Sequence, residues 1–180
     1  MAHSHKGKSS ESFLDKNIIL GAMQIVPGQT VLDAGCGNGY MAREFARLLE
    51  GKGKVIALDV DGEAVAALRE ETEGSIIEAM EGDMTARTAL EDASMDMIYL
   101  STVVHGFPPD KMAGFVAEVK RLLKPRGCLA IMEIQKKEMP FGPPLEKRFT
   151  PEELQRVIGL TPLKTVEVGP HFYLQLFENA

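Results

Sequence analysis

The densest run of chemistry in the chain is Val31-Leu32-Asp33-Ala34-Gly35-Cys36-Gly37-Asn38-Gly39-Tyr40. Glycines at alternate positions let a backbone turn tightly off a strand and come within contact distance of a ligand, and a helix starting just behind them offers unpaired amides to an anionic group. A phosphate is one such group and a carboxylate another. Dinucleotide sites space their glycines G-x-G-x-x-G, whereas Gly35, Gly37 and Gly39 run G-x-G-x-G and Tyr40 stands in the third dinucleotide slot. Asp33 points the same way: an acid just ahead of the loop repels a pyrophosphate but suits a ligand that carries a cation, such as the ammonium or sulfonium of a modified methionine. An NAD(P)-dependent oxidoreductase, built on the same strand, loop and distal acid, fits less well on both counts.

Four further stretches place reactive side chains at or just after the ends of apolar runs. Asp59 lies 20 residues beyond Gly39, at the end of a β-branched run, where a carboxylate can accept both hydroxyls of a ribose; neighbouring Asp61 is the better cap for the next helix. Glu81-Gly82-Asp83-Met84 follows a third run. Ser101-Thr102-Val103-Val104-His105-Gly106 follows a fourth. A histidine titrates near pH 6.5, which suits proton removal, and Gly106 leaves room for a substrate, so His105 is the candidate base; the plainer alternative has it packing on the following helix or bonding a loop carbonyl. Glu133 ends a fifth run as either a site carboxylate or a strand-end charge in solvent.

These residues closely resemble the glycine motif of the class I S-adenosylmethionine-dependent methyltransferase family, an acid followed by x-G-x-G-x-G, and in particular its type 11 and ubiquinone/menaquinone-like members. The resemblance runs from about Thr30 to Ile134. It implies that Asp33, Ala34, Gly35, Cys36, Gly37 and Gly39 wrap the methionine end of S-adenosylmethionine, with Asp33 near the ammonium, and that Asp59 takes the ribose diol. It implies too that Asp83 faces the exocyclic amine of adenine and Met84 packs on the ring, with Val60 and Ser101 completing the cofactor contacts. Relatives commonly carry Lys-Pro-Gly-Gly where this chain has Lys124-Pro125-Arg126-Gly127; proline second and glycine last still satisfy a type I turn. The Asn/Asp-Pro-Pro-aromatic signature of base-directed amino methyltransferases is absent, so a nucleobase amine is not the expected acceptor. Arsenic methylation would need thiols, and Cys36 and Cys128 sit in the loop and in an apolar run.

The elements that must position these groups alternate. An entry helix is expected over 11–26, a strand over Thr30–Asp33, and a helix with Met41, Phe45, Leu48 and Leu49 on one face. Strands follow at Lys54–Asp59, Ser75–Met80, Asp96–Leu100 and Cys128–Ile134, with a helix marked by Val65 and Leu68 after the first of these. A helix capped by Asp110 buries Met112, Phe115, Val116, Val119, Leu122 and Leu123 and leaves Lys111, Glu118 and Lys120 off that stripe. Thr150-Pro151-Glu152-Glu153 reads as a capping box, and runs 164–168 and 172–177 flank Gly169-Pro170-His171 as an antiparallel hairpin. The expected fold is a doubly wound α/β sheet of seven mostly parallel strands, Rossmann-like, with helices on both faces and ligands beyond the carboxyl ends of the strands.

Composition narrows the partners. With 26 acids against 20 bases over 180 residues, the net charge of −6 provides no basic field for a phosphate backbone, so nucleic acid is not an expected partner. No apolar window is long enough for a membrane span, no export signal is visible, and two unpaired cysteines suit a reducing cytoplasm. His3 and His5 lie in a polar arm and are assigned no metal. Residues 1–26 are read as an arm and entry helix that can act as a lid, and 27–180 as the cofactor-binding domain. The sequence leaves the oligomeric state open. The reading is an S-adenosylmethionine-dependent methyltransferase acting on an oxygen, nitrogen or carbon nucleophile of a small molecule; the alternative is a non-catalytic S-adenosylmethionine-binding partner of another protein.

Overall fold

Apolar residues run almost continuously along the central strands because both faces of the sheet are covered. In the computed structural model, which describes residues 15–180, the order is α1 (Lys16–Met23), β1 (Thr30–Ala34), α2 (Tyr40–Leu48), β2 (Lys54–Asp59), α3 (Gly62–Glu71), β3 (Ile77–Glu81) and β4 (Met95–Ser101). A 3₁₀ turn, Val104–Gly106, leads to α4 (Pro109–Leu122) and β5 (Leu123–Ile134), and a second, Leu145–Lys147, precedes α5 (Pro151–Ile158), β6 (Thr161–Val168) and β7 (Phe172–Glu178). The seven strands are ordered β3-β2-β1-β4-β5-β7-β6, parallel from β1 to β5, with β7 antiparallel to both β5 and β6. This is the expected doubly wound sheet with its terminal hairpin.

Two cores follow from the period of two. Val31, Ala57, Met97 and Tyr99 face Ile19, Phe45, Leu49 and Leu68 on the α1–α3 side. Leu32, Ile56, Ile98 and Leu129 face Phe115, Val119, Leu122, Leu154 and Ile158 on the α4–α5 side. Helix α5 opens on the expected capping box: the Thr150 hydroxyl accepts from the Glu153 amide, and the Glu153 carboxylate accepts from the Thr150 amide. Asp61 caps α3 by accepting from the amides of Glu63 and Ala64.

Several expectations are corrected. Asp110 does not cap α4; Pro108 holds the cap position, Pro109 starts the helix and Asp110 lies in its first turn. Glu118 is buried at 4% exposure despite its place off the apolar stripe. It accepts from the Thr88 amide and hydroxyl and from the Arg121 guanidinium, which together outweigh burial and lower its pKa to about 2. The third strand begins at Ile77 rather than Ser75, and the hairpin's first strand begins at Thr161. Residues 11–14 of the expected entry helix, and His3 and His5, lie outside the described residues.

The turn after α4 also differs. Backbone pairing resumes at Leu123, opposite Met95, and Cys128 pairs with Met97, so Lys124–Gly127 bulge out of the strand between them. Arg126 has φ +63°, the sign that a type II turn demands at its third residue and a type I turn forbids. Asn179, just after β7, pins this bulge, its carbonyl accepting from the Arg126 amide, its amide donating to the Gly127 carbonyl and its side chain donating to the carbonyls of Leu123 and Lys124. A left-handed non-glycine residue costs of order 1 kcal/mol or more, part of which glycine returns through unfolded-state entropy. Arg126→Gly is therefore expected to raise stability in urea by about 0.5–1 kcal/mol, and a loss of stability would show that the arginine side chain outweighs its backbone strain.

Candidate functional site

Parallel pairing brings the carboxyl ends of β1 to β5 to one edge of the sheet, and the cofactor-binding candidates and His105 lie at that edge. The Gly35 and Cys36 amides both donate to the Leu58 carbonyl, at 2.7 and 3.1 Å, fastening the start of the glycine loop to the end of β2. The Gly37 amide donates to Asp59 Oδ2 at 2.8 Å, and Oδ1 of the same carboxylate accepts from the Asp61 amide at 3.0 Å. Gly37 has φ +51°, and a Cβ built there meets nothing within 4 Å among the described residues, so a side chain at this position would project away from them in front of the loop. Gly35 is the opposite case: a Cβ would lie 2.7 Å from Val103, so only glycine lets the loop touch the turn that carries His105.

Behind the loop lies a buried acid. Asp33 is 3% exposed and shares its face of the sheet with Tyr99, its neighbour across β4. The Ala42 amide, one of the unpaired donors in the first turn of α2, bonds to its carboxyl. Oδ2 has no partner among the described residues, and the Tyr99 hydroxyl approaches Ser101 without meeting hydrogen-bond geometry. Desolvation, little offset by the Ala42 bond and reinforced by the Asp59 charge, raises the pKa of Asp33 to about 7. A cation delivered to this edge would stabilise the ionised form and meet an acceptor that the protein leaves empty-handed. Ala34 is buried beside it, and the Cys36 thiol, 8% exposed, is pushed far up by burial and is no nucleophile.

The outer rim is formed by Val60, 67% exposed between Asp59 and Asp61, and by the loop after β3. Asp83 Oδ1 accepts from the Thr85 amide and hydroxyl, and Oδ2 accepts from the Lys111 ammonium at 3.1 Å. Burial alone would raise its pKa; these donors hold it below the usual range. An exocyclic amine approaching Asp83 therefore competes with Lys111. Met84, 5% exposed, packs into the α4–α5 core.

Ser101 ends β4, and Thr102, a β-branched residue at φ +54°, turns the chain into Val104–Gly106. There the side chain of His105 meets Glu133: Nδ1 lies 2.7 Å from Oε2, and the His105 amide donates to Oε1 at 3.2 Å. Glu133 is 1% exposed. It is not a solvent charge, and the His105 ring bonds this carboxylate instead of a loop carbonyl; each has the other as its partner. Only spatial proximity reveals this pair, since 28 residues separate them. After β5, the buried Arg148 guanidinium donates to the carbonyls of Pro143, Gln135, Lys137 and Phe141 and shapes a loop around a cavity of about 440 Å³ lined by Met139, Phe141 and Leu145.

A family model described as a methyltransferase domain matches residues 31–127, more than half the chain. A ribosomal protein L11 methyltransferase of Photobacterium profundum is 32% identical over 64% of this chain and 38% of its own length. A ubiquinone/menaquinone biosynthesis C-methyltransferase of Bordetella avium is 26% identical over 71% of this chain and 50% of its own. The chain thus spans between about a third and a half of the length of these curated relatives. A crystal structure of a SAM-dependent methyltransferase from Aquifex aeolicus superimposes with a TM-score of 0.84 at 27% identity, covering 97% of this chain and 94% of that one. An S-adenosylmethionine-dependent methyltransferase from Mesorhizobium loti shares the fold, with a TM-score of 0.71 at 17% identity, over 91% and 96% of the two chains.

The state of Asp33 gives a signed prediction. Its pKa is higher folded than unfolded, so between about pH 4 and pH 7 the folded chain holds a proton that the unfolded chain releases, and stability falls as pH rises through that window. Asp33→Asn keeps an acceptor for Ala42 and removes the buried charge. Without ligand it should melt several degrees above the wild type at pH 8, from a cost on the order of 3 kcal/mol, and the gap should close by pH 4. A mutant that melts below the wild type at pH 8 would show that Asp33 is ionised without penalty.

Proposed function

Because the chain belongs to the methyltransferase-domain family and has the fold of S-adenosylmethionine-dependent methyltransferases, we propose that it binds S-adenosylmethionine along the edge of β1 to β4 and transfers its methyl group to a small molecule. The observation that carries this reading is the buried Oδ2 of Asp33, without a partner among the described residues, behind a glycine loop whose central residue has none of those residues in front of it. Such a cradle fits a ligand with a cationic end and a backbone that lies against glycine. It offers a pyrophosphate a buried acid instead of a donor.

In this reading the loop 35–39 holds the methionine portion, and Asp33 Oδ2 takes its ammonium directly or through a water. Asp59 has one lone pair left on each oxygen after serving Gly37 and Asp61, which suffices for the two hydroxyls of a ribose. The exposed Val60 and the Met84 loop bracket a flat ring, with Asp83 giving up Lys111 to accept from its amine. Bound there, S-adenosylmethionine supplies a methyl already activated on a sulfonium, whose C–S electron pair stays on sulfur. The chain's own contribution is alignment and exclusion of water, with His105 receiving the proton of an acceptor that carries one.

Calorimetry with S-adenosylhomocysteine tests the assignment. Gly37→Val should abolish measurable binding in a folded protein. Asp59→Ala should weaken it by roughly one to four decades, the loss of two charge-assisted bonds of about 1.5–3 kcal/mol each with some compensation by water. Asp61→Ala should cost α3 about 1 kcal/mol of cap and leave affinity within twofold. Unchanged affinity in both loop and Asp59 variants would sink the site.

A further inference from the structure

We propose that Glu133 is a positioning residue that fixes which nitrogen of His105 faces the site, so that Nε2 stands as a lone-pair acceptor for a proton; this rests on the methyl-transfer reading and deepens it to acceptors that lose a proton, O–H or N–H nucleophiles. A carboxylate only accepts hydrogen bonds, so the nitrogen 2.7 Å from Glu133 Oε2 must carry the hydrogen. A neutral imidazole has a single N–H. With the proton on Nδ1, Nε2 is bare.

The surroundings leave the carboxylate nothing else to do. Its second oxygen accepts the His105 backbone amide, so one side chain holds both ring and backbone. Tyr173 pairs with Glu133 across β5 and β7, yet its hydroxyl donates to the Phe149 carbonyl instead. Among the described residues, Nε2 has no hydrogen-bond partner, and the His105 side chain retains 18% exposure. The backbone is strained to achieve this: Thr102, β-branched and at φ +54°, is held by a 2.8 Å bond from its amide to the Met132 carbonyl, one residue before Glu133. Strain of this kind persists where the surroundings over-determine a functional geometry. When an acceptor's O–H or N–H is methylated, its proton passes to the Nε2 lone pair, and the imidazolium formed is stabilised by the adjacent carboxylate until solvent takes the proton.

Glu133→Gln isolates this role without changing shape. The amide oxygen must stay opposite the His105 amide, which is a fixed donor, so the NH₂ faces Nδ1 and drives the hydrogen to Nε2. In ¹⁵N-histidine-labelled protein without ligand, at a pH where the ring is neutral, two-bond ¹H–¹⁵N spectra should show the His105 hydrogen on Nδ1 in the wild type by at least about tenfold, and on Nε2 in Glu133→Gln, with His105→Ala assigning the signals. Carbethoxylation of His105 by diethyl pyrocarbonate, which needs a bare and reachable nitrogen, should slow at least about tenfold in Glu133→Gln. S-adenosylhomocysteine affinity should stay within twofold. A wild-type ring bearing its hydrogen on Nε2, an unreactive wild-type His105, or a variant with unchanged tautomer overturns the proposal; if the variant does not fold, the wild-type spectrum and reactivity decide alone. Failure of the wild type to bind S-adenosylhomocysteine would instead strike the cofactor reading, because tautomer and reactivity are read without ligand.

Discussion

The carboxylate of Asp59 ties the centre of the glycine loop to the end of β2 by its bond from the Gly37 amide, and the rest of the site is arranged around that tie. A five-residue loop of alternating glycines has little reason to keep one shape, since each glycine carries a large conformational entropy. Two amides bound to the Leu58 carbonyl and one bound to Asp59 remove that freedom before any ligand arrives. Preorganisation of this kind lowers the ordering cost of binding. It also makes Asp59 serve two roles with different oxygen lone pairs, so its loss should loosen the loop as well as remove ligand contacts.

Three acids toward the carboxyl ends of β1, β2 and β5 stand in three different states, and the surroundings of each set its use. Asp33 is buried with one oxygen unpaired, a standing deficit that a cation can repair. Asp59 is half-buried and partly saturated by amides. Glu133 is buried and fully engaged by a single histidine. Buried carboxylates are costly unless they are bonded or matched by charge. Their concentration on the edge where the parallel strands end, while the opposite ends of those strands carry none of them, marks this edge as the working face of the sheet.

Much of this was legible in the residues. The order of strands and helices, the glycine loop, the Asp61 cap and the Thr150 capping box are local patterns whose physics does not need the rest of the chain. The sites that escaped are those decided by distant neighbours. Glu118 reads as an exposed helix charge and is buried because Thr88 and Arg121 close over it. Arg126 reads as compatible with a type I turn and is left-handed where Asn179, beyond β7, fixes the bulge. The His105–Glu133 pair joins a loop to a strand end 28 residues away, and only the parallel pairing of β4 with β5 brings them together.

The central claim, that this edge holds S-adenosylmethionine, is tested most directly by melting the wild-type protein with S-adenosylmethionine, S-adenosylhomocysteine, NAD and NADP in turn. A ligand present at 100 times its dissociation constant adds about 2.7 kcal/mol, which for a chain of this size raises the melting temperature by roughly 5–10 °C. The two adenosyl sulfur compounds should produce such a rise and the two dinucleotides none. A rise with NAD or NADP alone, or no rise with any of the four, would contradict the claim.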